Sequence, residues 1–215
     1  MSYFPMFIEL AGQDCLVVGA GKVAERKVRI LLEYGPNVRV VAPEATERLR
    51  QLAAQGRIKL FLRPYSKEDL EGAQLVIAAC SDPDVNREIS RICRERKIPV
   101  NVVDVKEECS FLFPALVKDG NVTVGISTGG ESPAMAGLLK ERVRQAIPQN
   151  CGQAAAWVGL QREALKKRIA DSRLREAVCR ELANIAFERG EEGFKGFAPE
   201  KVDEIIKRKM EIQDE

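Results

Sequence analysis

The chain has 215 residues, enough to bury a sizeable core, and carries 34 Lys and Arg against 32 Asp and Glu, a formal net charge of +2. This balance excludes a general electrostatic attraction to nucleic acid or an acidic membrane, so an anionic ligand must be held by a local cluster. The sequence contains no histidine, which excludes a Ser-His-Asp relay, a histidine zinc site and a histidine base, and leaves acid–base work to carboxylates, Lys, Tyr or Cys.

Glu9 and Asp14 interrupt the early apolar residues and no later apolar run is long enough to span a bilayer, so neither a signal peptide nor a membrane span is expected, and a cytoplasmic location is. The six cysteines, Cys15, Cys80, Cys93, Cys109, Cys151 and Cys179, form no CxxC pair and read as reduced structural thiols, with no metal site expected.

The first predicted element is a buried strand, Cys15 to Val18, followed by Gly19-Ala20-Gly21-Lys22-Val23-Ala24 and a helix with Val23, Ala24, Val28, Leu31 and Leu32 on one face. In a dinucleotide-binding turn Gly19 permits the tight exit from the strand, Gly21 admits a pyrophosphate close to the backbone, and Ala24 lets the helix pack on the sheet. The free N–H groups of the helix start, with its dipole, favour that anion. Asn37 to Ala42 and Ile58 to Leu62 read as the next strands around a helical Glu44 to Gln55. Leu75 to Ala79 follows as a strand, then Cys80-Ser81-Asp82-Pro83, a helix from Asp84 to Arg96, and a strand from Pro99 to Val103. Apolar strands alternating with helices predict an α/β fold, a Rossmann-type parallel sheet that binds ligands at the carboxyl ends of its strands.

Pro43 and Glu44 stand where an acidic residue usually holds the adenosine ribose, and Glu44 is the candidate for that role with NAD; Arg39 and Arg48 leave room for a 2′-phosphate. Asp104 ends the last of these strands, where nicotinamide and substrate would meet. From position alone it either takes a proton as hydride leaves or caps the following turn. Asn101, earlier on the same strand, is expected to face the same side.

The rhythm changes near Phe111. Phe113 to Val117 and Val122 to Ser127 flank Lys118-Asp119-Gly120-Asn121 and read as a hairpin. Thr128, Gly129 and Ser132 then form a polar lead-in suited to carboxylates, with Ser132 capping a helix that starts at Pro133 and carries Met135, Leu138, Leu139 and Val143. Lys140, Arg142 and Arg144 add positive charge or simply form its solvated face. From Cys151 the chain is helical in pattern, broken at Gly190, Gly193 and Gly196 to Pro199 before a last amphipathic helix.

Five segments occur in a telling order: YFPMFIEL from Tyr3, GAGKVAERK from Gly19, NVVD from Asn101, SFLFPA from Ser110 and STGGESPA from Ser127. Over Tyr3 to about Pro148 the chain resembles the precorrin-2 dehydrogenase family of siroheme biosynthesis. The resemblance implies NAD-dependent oxidation of precorrin-2 to sirohydrochlorin, with an NAD-binding Rossmann domain over 1–113, a small α+β dimerisation region over 114–148, a helical C-terminal domain over 149–215, and a homodimer. It places cofactor contacts at Lys22 and Val23 and at Pro43 and Glu44, and the essential aspartate at Asp104. Some members also insert ferrous iron, and fused members carry a methyltransferase domain, so this chain is expected to be the standalone form. Thr128 stands where certain fused members carry a phosphorylated serine. Two other readings are a non-catalytic NAD-sensing domain and a chelatase whose dinucleotide site is vestigial; the segments from Asn101 and Ser127 separate the first of these from an enzyme.

Overall fold

In the computed structural model, which describes residues 3–213, the apolar runs of the first half become β1 (Asp14–Val18), β2 (Asn37–Ala42), β3 (Lys59–Leu62), β4 (Leu75–Ala78) and β5 (Val100–Val102). They alternate with α1 (Lys22–Leu32), α2 (Glu47–Ala54) and α3 (Pro83–Glu95). All four strand pairings are parallel, in the order β3-β2-β1-β4-β5. Parallel strands need crossovers, and the crossover helices cover both faces. Alternate residues therefore feed two apolar layers: Cys15, Val17, Val40 and Ile77 pack with Val28 and Leu31 of α1, while Leu16, Val18, Val76 and Val102 pack with Ile89 and Cys93 of α3. Strand order reverses between β1 and β4, which opens the ligand crevice of such sheets at their carboxyl ends.

Local signals fix the helix starts. Thr46 Oγ1 accepts from Leu49 N at the start of α2. Asp82 Oδ1 accepts from Asp84 N at 2.9 Å with Pro83 in the first position of α3.

The chain divides into two compact units: the first runs through Phe113 and takes in Gly129–Glu131, and the second comprises Pro114–Thr128 and the chain from Ser132 onward. In the second, β6 (Ala115–Asp119) and β7 (Val122–Ile126) form an antiparallel hairpin, followed by α4 (Pro133–Ala146), α5 (Cys151–Arg168), α6 (Ser172–Arg189), α7 (Glu191–Phe194) and α8 (Pro199–Gln213). Lys118 pairs with Thr123 and Asp119 with Val122, so the turn is the two residues Gly120-Asn121 rather than the four expected from sequence. The hairpin is fastened to α5: Asp119 Oδ2 accepts from Gly152 N at 3.0 Å, and a Cβ on Gly152 would lie 2.2 Å from the Asp119 carbonyl oxygen. Leu165, Val178, Leu182, Val202 and Ile205 form the core of the helical part, with Trp157 edge-on to Phe197.

Gly193 corrects one expectation. It lies inside α7 and does not break a helix; a Cβ there would meet the Ile185 carbonyl oxygen at 2.4 Å, so glycine is needed for close packing on α6. All six cysteines are free, and no helix among the described residues is long and apolar enough to cross a membrane.

Candidate active site

The carboxyl ends of four neighbouring strands bring together residues far apart in sequence. Gly19 to Gly21 follow β1, Pro43 and Glu44 follow β2, Ala79 to Asp82 follow β4, and Asp104 follows β5. Backbone bonds hold these connections in register: Gly19 N donates to Val41 O, Thr46 N to Ala20 O, Ala79 N to Val18 O and Val103 N to Ala78 O.

The glycine turn has the geometry that a dinucleotide requires. Gly19 adopts φ +101°, and a Cβ there would lie 2.3 Å from the Ala79 carbonyl oxygen, so only glycine allows the chain to pass beside the end of β4. Gly21 is the N-cap of α1 in extended conformation, accepts Glu25 N at its carbonyl, and offers no side-chain cap. Nothing lies within 4 Å of where its Cβ would be. The leading N–H groups of α1 thus lack a side-chain cap and the space beside Gly21 is open, as a bound pyrophosphate needs. Lys22 and Val23 are exposed on the first turn of α1, and Pro43 and Glu44 are exposed after β2. These residues fit a nicotinamide dinucleotide. Arg39, in contrast, sits within β2, and its guanidinium donates to Glu71 O at 2.8 Å; Arg48 is exposed on α2 and donates to Gln51.

Asp104 is exposed and adopts φ +62°, a left-handed conformation that Asp tolerates better than most side chains. It stands in the turn directly after β5 rather than on the strand. Asn101, expected on the same side, is placed differently. It is 6 % exposed, on the α1 face of the sheet, because alternation puts Val100 and Val102 in the other layer. Its Oδ1 accepts Lys27 Nζ at 2.9 Å, and its Nδ2 donates to Phe111 O at 3.2 Å.

Three further residues shape this edge and escaped sequence reasoning. Lys27 lies half-buried on α1, with its amine over the Phe113 ring, 4.3 Å from the centroid. Burial, and then the Arg26 charge, push its pKa down to about 8, against weaker opposing pulls from Cys109 and Asp104. Its signal was available: Lys27 falls three residues after Ala24 and four before Leu31, inside the apolar stripe of α1, where a solvated lysine does not belong. Asn86, buried on α3, accepts Cys80 N at 3.2 Å and donates to Cys80 O at 2.9 Å, pinning the turn after β4. Cys109 is buried with its thiol donating to Val102 O at 3.2 Å.

Thr128 Oγ1 accepts Ser132 N at 3.2 Å and donates to Ser132 O at 3.0 Å, and Ser132 Oγ accepts Met135 N, so both hydroxyls build the cap of α4. Gly129 and Gly130 belong to the first unit, where a Cβ on Gly130 would lie 2.9 Å from Cδ of Lys106. Lys140, Arg142 and Arg144 lie along α4, with Arg142 and Arg144 exposed and Lys140 partly buried. Among the described residues no group of three or more His, Cys, Asp or Glu could hold a metal ion.

Residues 6–115, just over half of the chain, match the model of a family described as "Putative NAD(P)-binding". The chain belongs to that NAD(P)-binding family. A nicotinamide dinucleotide is thus the cofactor class of this region. Curated relatives include siroheme synthases from Methylobacillus flagellatus, 41 % identical over 81 % of this chain and 38 % of the relative, and from Thioalkalivibrio sulfidiphilus, 43 % identical over 81 % of this chain and 36 % of the relative. The chain spans little more than a third of the length of these relatives. A solved structure of similar fold, "SirC, precorrin-2 dehydrogenase", covers 97 % of this chain and 100 % of its own, with TM-score 0.68 and 22 % identity.

Proposed function

We propose that this protein is a dehydrogenase that oxidises precorrin-2 to sirohydrochlorin with NAD. The observation that carries the reading is the placement of one exposed carboxylate, Asp104, on the turn after β5, at the same edge as the glycine turn of a family that binds NAD(P). The names of the relatives and of the similar structure support the substrate.

The bound dinucleotide supplies a hydride acceptor at its nicotinamide ring. The chain's own residues do the rest. The N–H groups of Gly21, Lys22 and Val23 bind the pyrophosphate, and the Glu44 carboxylate accepts hydrogen bonds from the ribose hydroxyls, which favours NAD, since Arg39 is turned to Glu71 and away from a 2′-phosphate. As a substrate C–H bond gives up its hydride, Asp104, or a water it orients, accepts the accompanying proton. Thr128, Gly129 and Ser132 are proposed to shape the polar lead-in to α4, with the two hydroxyls spent on its cap, while Asn101 contributes through Lys27 rather than by direct contact.

The test is an anaerobic assay with freshly made precorrin-2 and NAD, recording NADH formation and the sirohydrochlorin spectrum. Both signals are expected, and Asp104→Asn should lower turnover about 100-fold or more while NAD binding persists. Unchanged turnover in that variant removes Asp104 from the mechanism; no NADH from the wild type overturns the function. Adding ferrous iron to the same cuvette then reads out chelation: a further spectral change faster than in an enzyme-free sirohydrochlorin control adds that activity.

A further inference from the structure

We propose that Lys27 is a positioning residue of this dehydrogenase, an ammonium that ties the cofactor helix α1 to β5, the strand that leads into the Asp104 turn. The inference rests on the dehydrogenase reading and adds to it the element that fixes base and cofactor relative to each other.

Three observations carry it. Lys27 Nζ donates to Asn101 Oδ1 at 2.9 Å across 74 residues of sequence, joining α1 to β5. The same amine lies 4.3 Å from the centroid of the Phe113 ring, a contact that attracts the charged form and not the neutral one. Asn101 in turn donates to Phe111 O, so its amide links α1, β5 and the segment after the Asp104 turn. The glycine turn opens α1, and Asp104 leaves β5 two residues past its end. A slip of α1 against β5 would therefore change the distance between bound nicotinamide and base. Displacements of about 1 Å of this kind cost on the order of 100-fold in rate.

The tether does not look like a stability device. An amine whose pKa is pushed below its ordinary value binds its proton more weakly in the folded chain than in the unfolded one. Folding is thus penalised by the charge below about pH 8, and the penalty fades as pH rises from there toward the ordinary lysine value. The groups whose charge the amine feels are Arg26 on its own helix, Cys109 and Asp104. The Cys109 thiol is itself pushed up by burial, against weaker pulls from the Val102 backbone, Lys27 and Arg94.

The experiment compares wild type, Lys27→Met and Lys27→Arg in the precorrin-2 assay as kcat against pH, with KM for NAD and Tm. Expected for Lys27→Met is a kcat lower by about 100-fold with KM for NAD changed by less than roughly threefold, and a Tm at neutral pH equal to or above wild type. Wild-type kcat should fall above about pH 8. Lys27→Arg, charged throughout, should restore part of the kcat and lose that alkaline limb. If Lys27→Met does not fold, the limb in wild type and its loss in Lys27→Arg decide the matter. Equal kcat in an active wild type and Lys27→Met, or an alkaline limb unmoved in Lys27→Arg, overturns the inference alone. A wild type that yields no NADH overturns the dehydrogenase reading and this inference with it.

Discussion

Gly19 and Gly21 are two residues apart and have opposite demands. A methyl group at Gly19 would strike the Ala79 carbonyl oxygen at 2.3 Å from a backbone at φ +101°, so Gly19→Ala should cost about 3 kcal/mol or more of stability, read by chemical denaturation. The same methyl at Gly21 meets nothing within 4 Å, in an extended conformation that alanine accepts. Gly21→Ala should cost less than about 1 kcal/mol. It should nevertheless weaken NAD binding at least about tenfold by isothermal titration, because the methyl fills the space offered to the phosphates. Equal effects on stability at both positions would refute this division of roles. The glycine pattern, with Gly19 read as the turn and Gly21 as the approach for phosphates, was legible in the sequence; the close passage of Gly19 against the end of β4, over fifty residues downstream, was not. Asp104 was legible as a strand end, but its left-handed backbone was not. Asn101 was misjudged because it stands three residues before Asp104, an odd spacing that alternation along a strand does not place on one side.

Between β3 and β4 the chain closes on a buried carboxylate. Asp69 is 7 % exposed, accepts from the two terminal nitrogens of the Arg63 guanidinium, and accepts Ser66 N at 2.9 Å in a capping box. The Arg63 hydrogen bond, helped by the Ser66 N–H and opposed by burial, holds the Asp69 carboxyl below its ordinary range. A carboxyl depressed in the folded state contributes stability above its unfolded pKa of about 4 and loses it as pH falls through the folded value. Asp69→Ala should therefore cost on the order of 2 kcal/mol at pH 7 and progressively less below about pH 4, measured by urea unfolding across pH. A cost that does not change with pH would assign the loss to packing. Elements of this half were readable because parallel strands are apolar throughout and bounded by turn residues: Asn37–Ala42 appears in the structure as read, and β1, β4 and α3 within a residue or so at each end. The hairpin boundaries were less so, because Asp119 pairs with Val122 and tightens the turn.

The second unit leaves one face of α4 open: none of its residues is buried, and Met135, Leu138 and Leu139 are 50 %, 64 % and 43 % exposed. We propose that a second copy of the chain covers this face, giving a homodimer. Light scattering at micromolar concentration should return twice the 23.9 kDa chain mass, and Leu138→Lys should shift the population toward monomer; a monomeric wild type would count against the proposal. The helices from Cys151 onward were legible as helices and no further, since their mutual packing through Leu165, Val178 and Leu182 depends on partners that periodicity does not name. In the first unit, α1 begins without a side-chain cap. A helix left open in this way borrows its missing acceptor from whatever anion occupies the turn, so the dinucleotide is part of the fold's thermodynamics as well as its chemistry. At 100 times its dissociation constant it adds about 2.7 kcal/mol to the folded state, so withdrawing the dinucleotide would loosen the protein itself.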